Sequence, residues 1–240
     1  AAWAVRALAK WRPDAAADAV VRPIAGRGRR TVKRWALALC SLALGLALAQ
    51  PAAAAATAGC PGFAEDLAAM TRADQALRNR WDWKELAEAP PGVVPHVIEQ
   101  TQLVDRENAR RLKQWVRRCG WPSAGGASER HLHDTWLLVQ HADHDRALQR
   151  AFLAHMQGQL QAGPKLASEL AYLTDRLDIA DGKPQRYGTQ MELKAPCRFE
   201  FLPLDDRAQV EARRKALGWP TLDAYQQVMS REMLPPSCRE

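Results

Sequence analysis

Ser128 to Asp145 reads SERHLHDTWLLVQHADHD, and this stretch decides the fold class. The Ser128 side chain can cap a helix whose apolar positions are Leu132, Trp136, Leu137 and Val139. From Trp136 to Val139 the run is apolar all round, which marks a helix enclosed on every side rather than one lying on a surface. Asp143 or Asp145 can start a new helix at once, with Leu148, Phe152, Met156 and Leu160 on one face. Two helices joined by so short a link require further helices around them to bury both apolar faces.

The flanking sequence supplies those helices. Phe63, Leu67, Met70, Ala73 and Leu77 follow helical spacing between Phe63 and Trp83. After the break at Pro90-Pro91-Gly92, a second helix is predicted through Val97, Ile98, Leu103, Val104, Leu112, Trp115 and Val116, ending at Gly120. Beyond Gly163-Pro164 a fifth carries Leu166, Leu170, Leu173 and Leu177. The turn Asp181-Gly182-Lys183-Pro184 leads to two short strands, Tyr187 to Leu193 and Arg198 to Leu202. Asp205 or Asp206 caps a sixth helix, and Thr221 a seventh through Leu222, Tyr225, Val228 and Met233. The expected fold is mainly α: one domain of about six or seven helices with a small β-hairpin near the C-terminal third. Gly120-Trp121-Pro122 and Gly218-Trp219-Pro220 each read as helix stops, with glycine as the left-handed cap and proline barring continuation.

Arg27, Arg29, Arg30, Lys33 and Arg34 precede an apolar run from Trp35 to Ala49, followed by Gln50-Pro51 and the alanines Ala52 to Ala56. A basic end, a short apolar core and small residues at the cut make a secretory signal peptide. The run is shorter than the roughly 20 residues that a spanning helix needs. The expected organisation is a non-native N-terminal extension over 1–31, a signal peptide over 32–56 and a single α-rich domain over 57–240. The destination is the periplasm or the cell exterior, with no membrane attachment after cleavage.

The formal charge of +7 belongs to this leader: residues 1–56 hold nine of the 34 basic and two of the 27 acidic residues, leaving 25 of each in 57–240. An electrically balanced domain has no basic footprint for nucleic acid. Cys40 leaves with the signal; Cys60, Cys119, Cys197 and Cys238 remain. Four cysteines in an exported chain predict two disulfides, with three pairings open.

Three polar constellations stand out. The first is His131-Leu132-His133-Asp134 with Gln140-His141-Ala142-Asp143-His144-Asp145. Most of its histidines read as surface residues at a helix junction, whereas His141 follows the enclosed apolar run and needs a buried partner. In the second, Asp175 and Arg176 interrupt an apolar helix face within Ala171-Tyr172-Leu173-Thr174-Asp175-Arg176. The third is Gln185-Arg186-Tyr187-Gly188-Thr189-Gln190, too polar for a plain core strand; Gln185, Tyr187, Thr189 and Gln190 offer donors and acceptors close together. Either these groups satisfy one another or they line a pocket.

Taken in order, Gly120-Trp121-Pro122, the stretch from Trp136 to Asp143, Ala171 to Arg176 and Gln185 to Gln190 resemble a bacterial family catalogued as domain of unknown function 6624. Arg214, Gly218 and Tyr225 continue the likeness, which covers roughly Asp66 to Tyr225. The resemblance implies that Gln140, His141, Asp175, Arg176, Gln185, Tyr187, Thr189 and Gln190 occupy signature positions; it implies no activity.

One reading is therefore an exported enzyme, a hydrolase or transferase, with His141 as general base, Asp175 as its orienting partner and Arg176 as an anion clamp. Gln140, Gln185, Tyr187, Thr189 and Gln190 would bind the ligand. A second is a non-catalytic binding module acting on a small molecule or a protein through the same cleft. A third is a metal-dependent phosphohydrolase, from the doublets His133-Asp134 and His144-Asp145. Nothing in the sequence identifies a cofactor.

Overall fold

The computed structural model describes residues 60–80, 86, 89–123, 125–159, 164–194, 197–234 and 238. The signal segment, the residues before it, Leu160 and the Ala195-Pro196 link lie outside these. Seven helices and one hairpin follow one another: α1 (Phe63–Arg80), α2 (Val93–Cys119), α3 (Glu129–His141), α4 (Arg146–Gln157), α5 (Pro164–Ala180), β1 (Met191–Lys194), β2 (Arg198–Phe201), α6 (Arg207–Ala216) and α7 (Leu222–Met233).

The local signals act as the residue types dictate. The Ser128 hydroxyl accepts from the His131 N–H at 3.2 Å. Asp145 rather than Asp143 caps α4, accepting from Leu148 N–H at 3.0 Å. Asp206 caps α6 at 3.0 Å and Thr221 caps α7 at 3.2 Å. Gly120 and Gly218 turn through φ 72° and 71°, the left-handed region that glycine enters without steric cost. Behind these stops, Trp121 packs edge-on against Phe152 and Trp219 lies against Tyr172.

Helix α3 runs through the centre. Trp136, Leu138 and Val139 are buried, and around them close Leu67 and Met70 from α1, Leu112 from α2, Phe152 and Met156 from α4, and Leu173 from α5. Each such side chain contributes roughly 1.5–3 kcal/mol by leaving water. The enclosed run Trp136–Val139 is thus the axis of the core.

Two helical stripes differ from the apolar reading. On α1 the buried line is Phe63, Leu67, Met70, Asp74 and Arg78, while Ala73 is exposed. On α2 it is Val97, Thr101, Asp105, Asn108, Ala109 and Leu112, while Leu103 is half exposed. In both helices polar residues take core positions, since Asp74, Arg78 and Asp105 have one another as partners.

The hairpin is antiparallel, pairing Met191 with Phe201 and Lys194 with Arg198. Its first strand starts at Met191, not at Tyr187; residues 187–190 form a loop in which the Tyr187 and Thr189 amides serve a carboxylate instead of a ladder. Met191 and Phe199 pack with Tyr225 of α7. Cys60 pairs with Cys119 and Cys197 with Cys238, tying the start of α1 to the end of α2 and the hairpin to the C-terminal tail. Among the described residues no helix is long and apolar enough to cross a membrane.

Candidate functional site

His141 ends α3 and points at α1. Its Nδ1 lies 2.8 Å from Asp74 Oδ1. The same oxygen accepts Arg78 Nη1 at 2.5 Å, and Asp74 Oδ2 accepts Gln75 Nε2 at 2.7 Å. Arg78 Nη2 then donates to both oxygens of Asp105, at 2.9 and 3.0 Å. The result is a buried line of alternating partners, His141–Asp74–Arg78–Asp105, drawn from three helices. Asp74 is inaccessible to solvent, and the two ends, His141 and Asp105, approach the surface with about a tenth of each side chain exposed.

An ionised carboxylate only accepts, so Nδ1 carries a proton and the neutral ring presents a bare Nε2. Among the described residues Nε2 has no hydrogen-bond partner. A ring held in this way is chemically able to accept a proton at Nε2. Burial is the largest influence on Asp74 and would raise it, but His141 and Arg78 together outweigh burial and hold its carboxyl below the usual range. For Asp105 burial prevails over Arg78 and His141, and its carboxyl is raised.

Asp74, Asp105 and His141 also bring three metal-ligating atoms within 4.8 Å of one another. Both carboxylates already hold the Arg78 guanidinium, which supplies one positive charge to the pair from within the chain. The doublets His133-Asp134 and His144-Asp145 do not enter this cluster. His133 Nδ1 lies 2.7 Å from the buried Glu169, a core partner and not a surface position. Asp134 lies near Arg130, and Asp145 pairs with Lys113 at 2.6 Å.

The sequence reading pairs His141 with Asp175, but the partner in the fold is Asp74. Asp175 turns instead to the loop after α5. Its oxygens accept the N–H groups of Arg186 at 2.7 Å, Tyr187 at 3.0 Å and Thr189 at 3.0 Å, and the Thr189 hydroxyl at 2.9 Å. Burial, the largest influence, pushes its carboxyl up to about 6 against the pull of these donors. At neutral pH it is ionised, as four donors around it require. Gln185 closes the same loop: its Oε1 accepts Gln190 N–H at 2.8 Å, and its Nε2 donates to Gln190 O at 2.9 Å and Leu202 O at 2.8 Å. Gln190 Nε2 donates to Thr189 Oγ1 at 3.0 Å, and the Tyr187 ring meets Trp219 edge-on.

Arg176, expected as an anion clamp, donates Nη1 to Asp143 Oδ2 at 2.8 Å. Asp143 also receives Arg146 at 3.0 Å. Burial would raise Asp143, and the two arginines with Gln149 hold it low. The Asp143–Arg176 pair fastens α5 to the turn that carries His141. Gln140, in the last turn of α3, is buried.

The sequence reading missed Asp74, Arg78 and Asp105, and it noted Arg214 only as part of the family likeness, without a role. Arg214 Nη1 donates to Tyr187 O at 2.7 Å and Gly188 O at 3.2 Å, and its Nε to Pro220 O at 2.8 Å, so it clamps the loop from the side opposite Asp175. A signal for Asp74 and Arg78 did exist. They continue the steps of four and three that join Phe63, Leu67 and Met70, and charges on a core stripe mark a buried network. A surface groove of about 540 Å³ between α1 and α2 is lined by Asp66, Arg110, Arg111 and Trp115 and includes none of these residues.

No curated protein and no solved structure matches the chain. A family profile does, over residues 61–233, a span that holds all seven helices, the hairpin, the His141 network and the Asp175 loop. The chain belongs to that family, described as a family of unknown function (DUF6624).

Proposed function

We propose that the domain is an exported acid–base enzyme, a hydrolase or transferase, in which His141 is the general base and Asp74 its orienting carboxylate. The observation that carries this reading is the 2.8 Å contact of His141 Nδ1 with a fully buried carboxylate held ionised by Arg78. Aspartate fixes the tautomer, and the lone pair at Nε2 is directed away from the protein's own acceptor. Gln140, Asp143 and Arg176 border the same helix end and would position the substrate there. Asp175, Gln185 and Thr189 support the site by shaping the 185–190 loop, with their polar atoms engaged inside it. Tyr187 and Gln190 remain the loop's candidates for touching a ligand. Export is supported by the leader pattern and by two disulfides, which persist in oxidising compartments.

Nitrogen chemical shifts of the His141 ring test the reading directly: we expect an Nδ1–H tautomer in the neutral ring, lost in Asp74→Asn. An Nε2–H tautomer in the wild type would overturn it. Carbethoxylation by diethyl pyrocarbonate should reach His141 Nε2 and slow in Asp74→Asn. In a panel of chromogenic esters, phosphate esters and glycosides, His141→Gln should abolish any turnover with the helical circular dichroism intact. A variant that loses only thermal stability returns the site to a structural or binding role.

A further inference from the structure

The groove between α1 and α2 measures about 540 Å³, within the range of about 300–1,000 Å³ usual for small-ligand sites. Its wall is fixed by contacts inside the chain. One oxygen of Asp66 accepts Trp115 Nε1–H at 2.6 Å, and the other accepts the Arg111 guanidinium. The Phe63 ring meets the indole edge-on, with 5.6 Å between centroids. At one end the Cys60–Cys119 disulfide ties the two helices together, with 6.1 Å between Cα atoms.

Six charged side chains line the groove: Glu65, Asp66, Glu107, Arg110, Arg111 and Arg118. Four answer one another. Arg111 meets Asp66, and Arg110 donates to both oxygens of Glu107 at 2.6 and 2.8 Å. Among the described residues the other two, Glu65 and Arg118, make no ion pair, and both are exposed. The Arg118 guanidinium lies over the Trp115 ring, 4.7 Å from its centroid. A guanidinium held over an aromatic ring is fixed without a carboxylate, so its N–H groups keep their hydrogen-bonding capacity.

The register places these two charges near each other along the groove. Cys60 meets Cys119 and Asp66 meets Trp115, so α1 and α2 run antiparallel here. Glu65 therefore stands about level with Trp115, and Arg118 lies three residues further, roughly 4.5 Å along the axis. A carboxylate and a guanidinium about one turn apart line one cavity and do not pair. An anion alone would also face Glu65, and a cation alone would also face Arg118. A ligand that carries both signs satisfies both groups.

We propose that this groove is a binding site for a small zwitterion, an α-amino acid or a short peptide with free ends. Arg118 receives its carboxylate and Glu65 its ammonium. Gln114, exposed on the same wall and without a hydrogen bond among the described residues, is available to its amide groups. The site shares no residue with the His141 network and does not rest on that network being catalytic.

The test is an NMR titration of the disulfide-bonded protein with alanyl-alanine, following Trp115 Nε1–H and Arg118 Nε–H. N-acetyl-alanyl-alanine, which lacks the ammonium, and alanyl-alanine amide, which lacks the carboxylate, are the controls. A saturable shift with the free dipeptide is expected, at least about tenfold weaker with either control, because each loses one hydrogen-bonded charge. Glu65→Gln and Arg118→Met should each weaken binding by the same factor. Both positions are exposed, so Tm should move by less than about 4 °C and a folding failure would be visible as such. The response should persist in His141→Gln, which separates this proposal from the acid–base reading. No saturable shift with the dipeptide would overturn it, as would an equal shift with either control. Binding retained in Arg118→Met, or lost in His141→Gln, would place the ligand elsewhere and would also overturn it.

Discussion

Replacing Arg78 by methionine tests the charged centre of the fold. Arg78 is 5% exposed and lies between two carboxylates, one inaccessible and the other 9% exposed. It donates to Asp74 at 2.5 Å and to Asp105 at 2.9 and 3.0 Å. Methionine fills most of the volume of the arginine stem, so little packing is lost. What is lost is the counter-ion of both acids. Breaking a buried ion pair by removing one partner costs about 3–5 kcal/mol, and the variant should lose that much at neutral pH. The pH dependence follows from the signs. In the wild type the Asp74 carboxyl is held below its ordinary value, so its contribution is present above that value and disappears as pH falls through the folded one. Without Arg78, Asp105, which burial already raises, loses the charge that chiefly opposes burial, and Asp74 keeps only His141 and the Gln75 hydrogen bond against it. Both carboxyls move up from their wild-type values, and the variant loses stability relative to the wild type as pH rises. The difference between the proteins should therefore be small near about pH 4 and full near about pH 7. Urea unfolding followed by circular dichroism at both pH values measures it. Adding Asp105→Leu should recover part of the loss by removing the acid that depended most on Arg78. A penalty below about 1 kcal/mol at neutral pH, or one equal at both pH values, would refute Arg78 as the internal counter-ion.

Asp175→Asn should destabilise by about 2–4 kcal/mol, since the amide turns a donor toward donors and forfeits charge-assisted bonds; calorimetry showing less than about 1 kcal/mol would mean the loop does not depend on the carboxylate. Gly188→Ala should cost about 2–3 kcal/mol, because φ is 66° there and a Cβ would collide with Leu222, forcing Tyr187 and Thr189 away from Asp175; loss of protection at those amides in hydrogen exchange would report it. Each disulfide closes a long loop, with sequence separations of 59 and 41, so replacing either pair by serine should lower stability by about 4 kcal/mol in urea; four free thiols titrated in denaturant without reductant would contradict the pairing.

Some of this molecule is local, and local features are legible in a sequence. The cap at Ser128, the stops at Gly120 and Gly218, the enclosed run Trp136–Val139 and the turn after Ala180 depend on residues a few positions apart, and each forms where its chemistry places it. Their sum is a mainly α domain with one hairpin. Even the misplaced start of β1 has a local hint, since Gln185 to Gln190 is too polar for a ladder; what the hint could not say is where those amides go. Those of Arg186, Tyr187 and Thr189 go to Asp175, more than ten residues back.

His141 was recognisable as a buried histidine in need of a partner, but nothing near it in the chain names that partner. Asp74 is 67 residues away, Arg78 joins it to Asp105 a further 27 residues along from Arg78, and each sits on a helix whose apolar spacing alone points elsewhere. A hydrophobic period identifies the face a helix buries, because apolar side chains are interchangeable in leaving water. A charged residue on that face is tolerable only if a specific opposite group arrives from another helix, and that meeting is a property of packing. Composition, helices and caps were thus set by the chain itself. The choice of Asp74 over Asp175 and the disulfide pairing among three possibilities were decided only when α1, α2 and α5 closed around α3, since burial makes each polar group answerable to whatever stands opposite it.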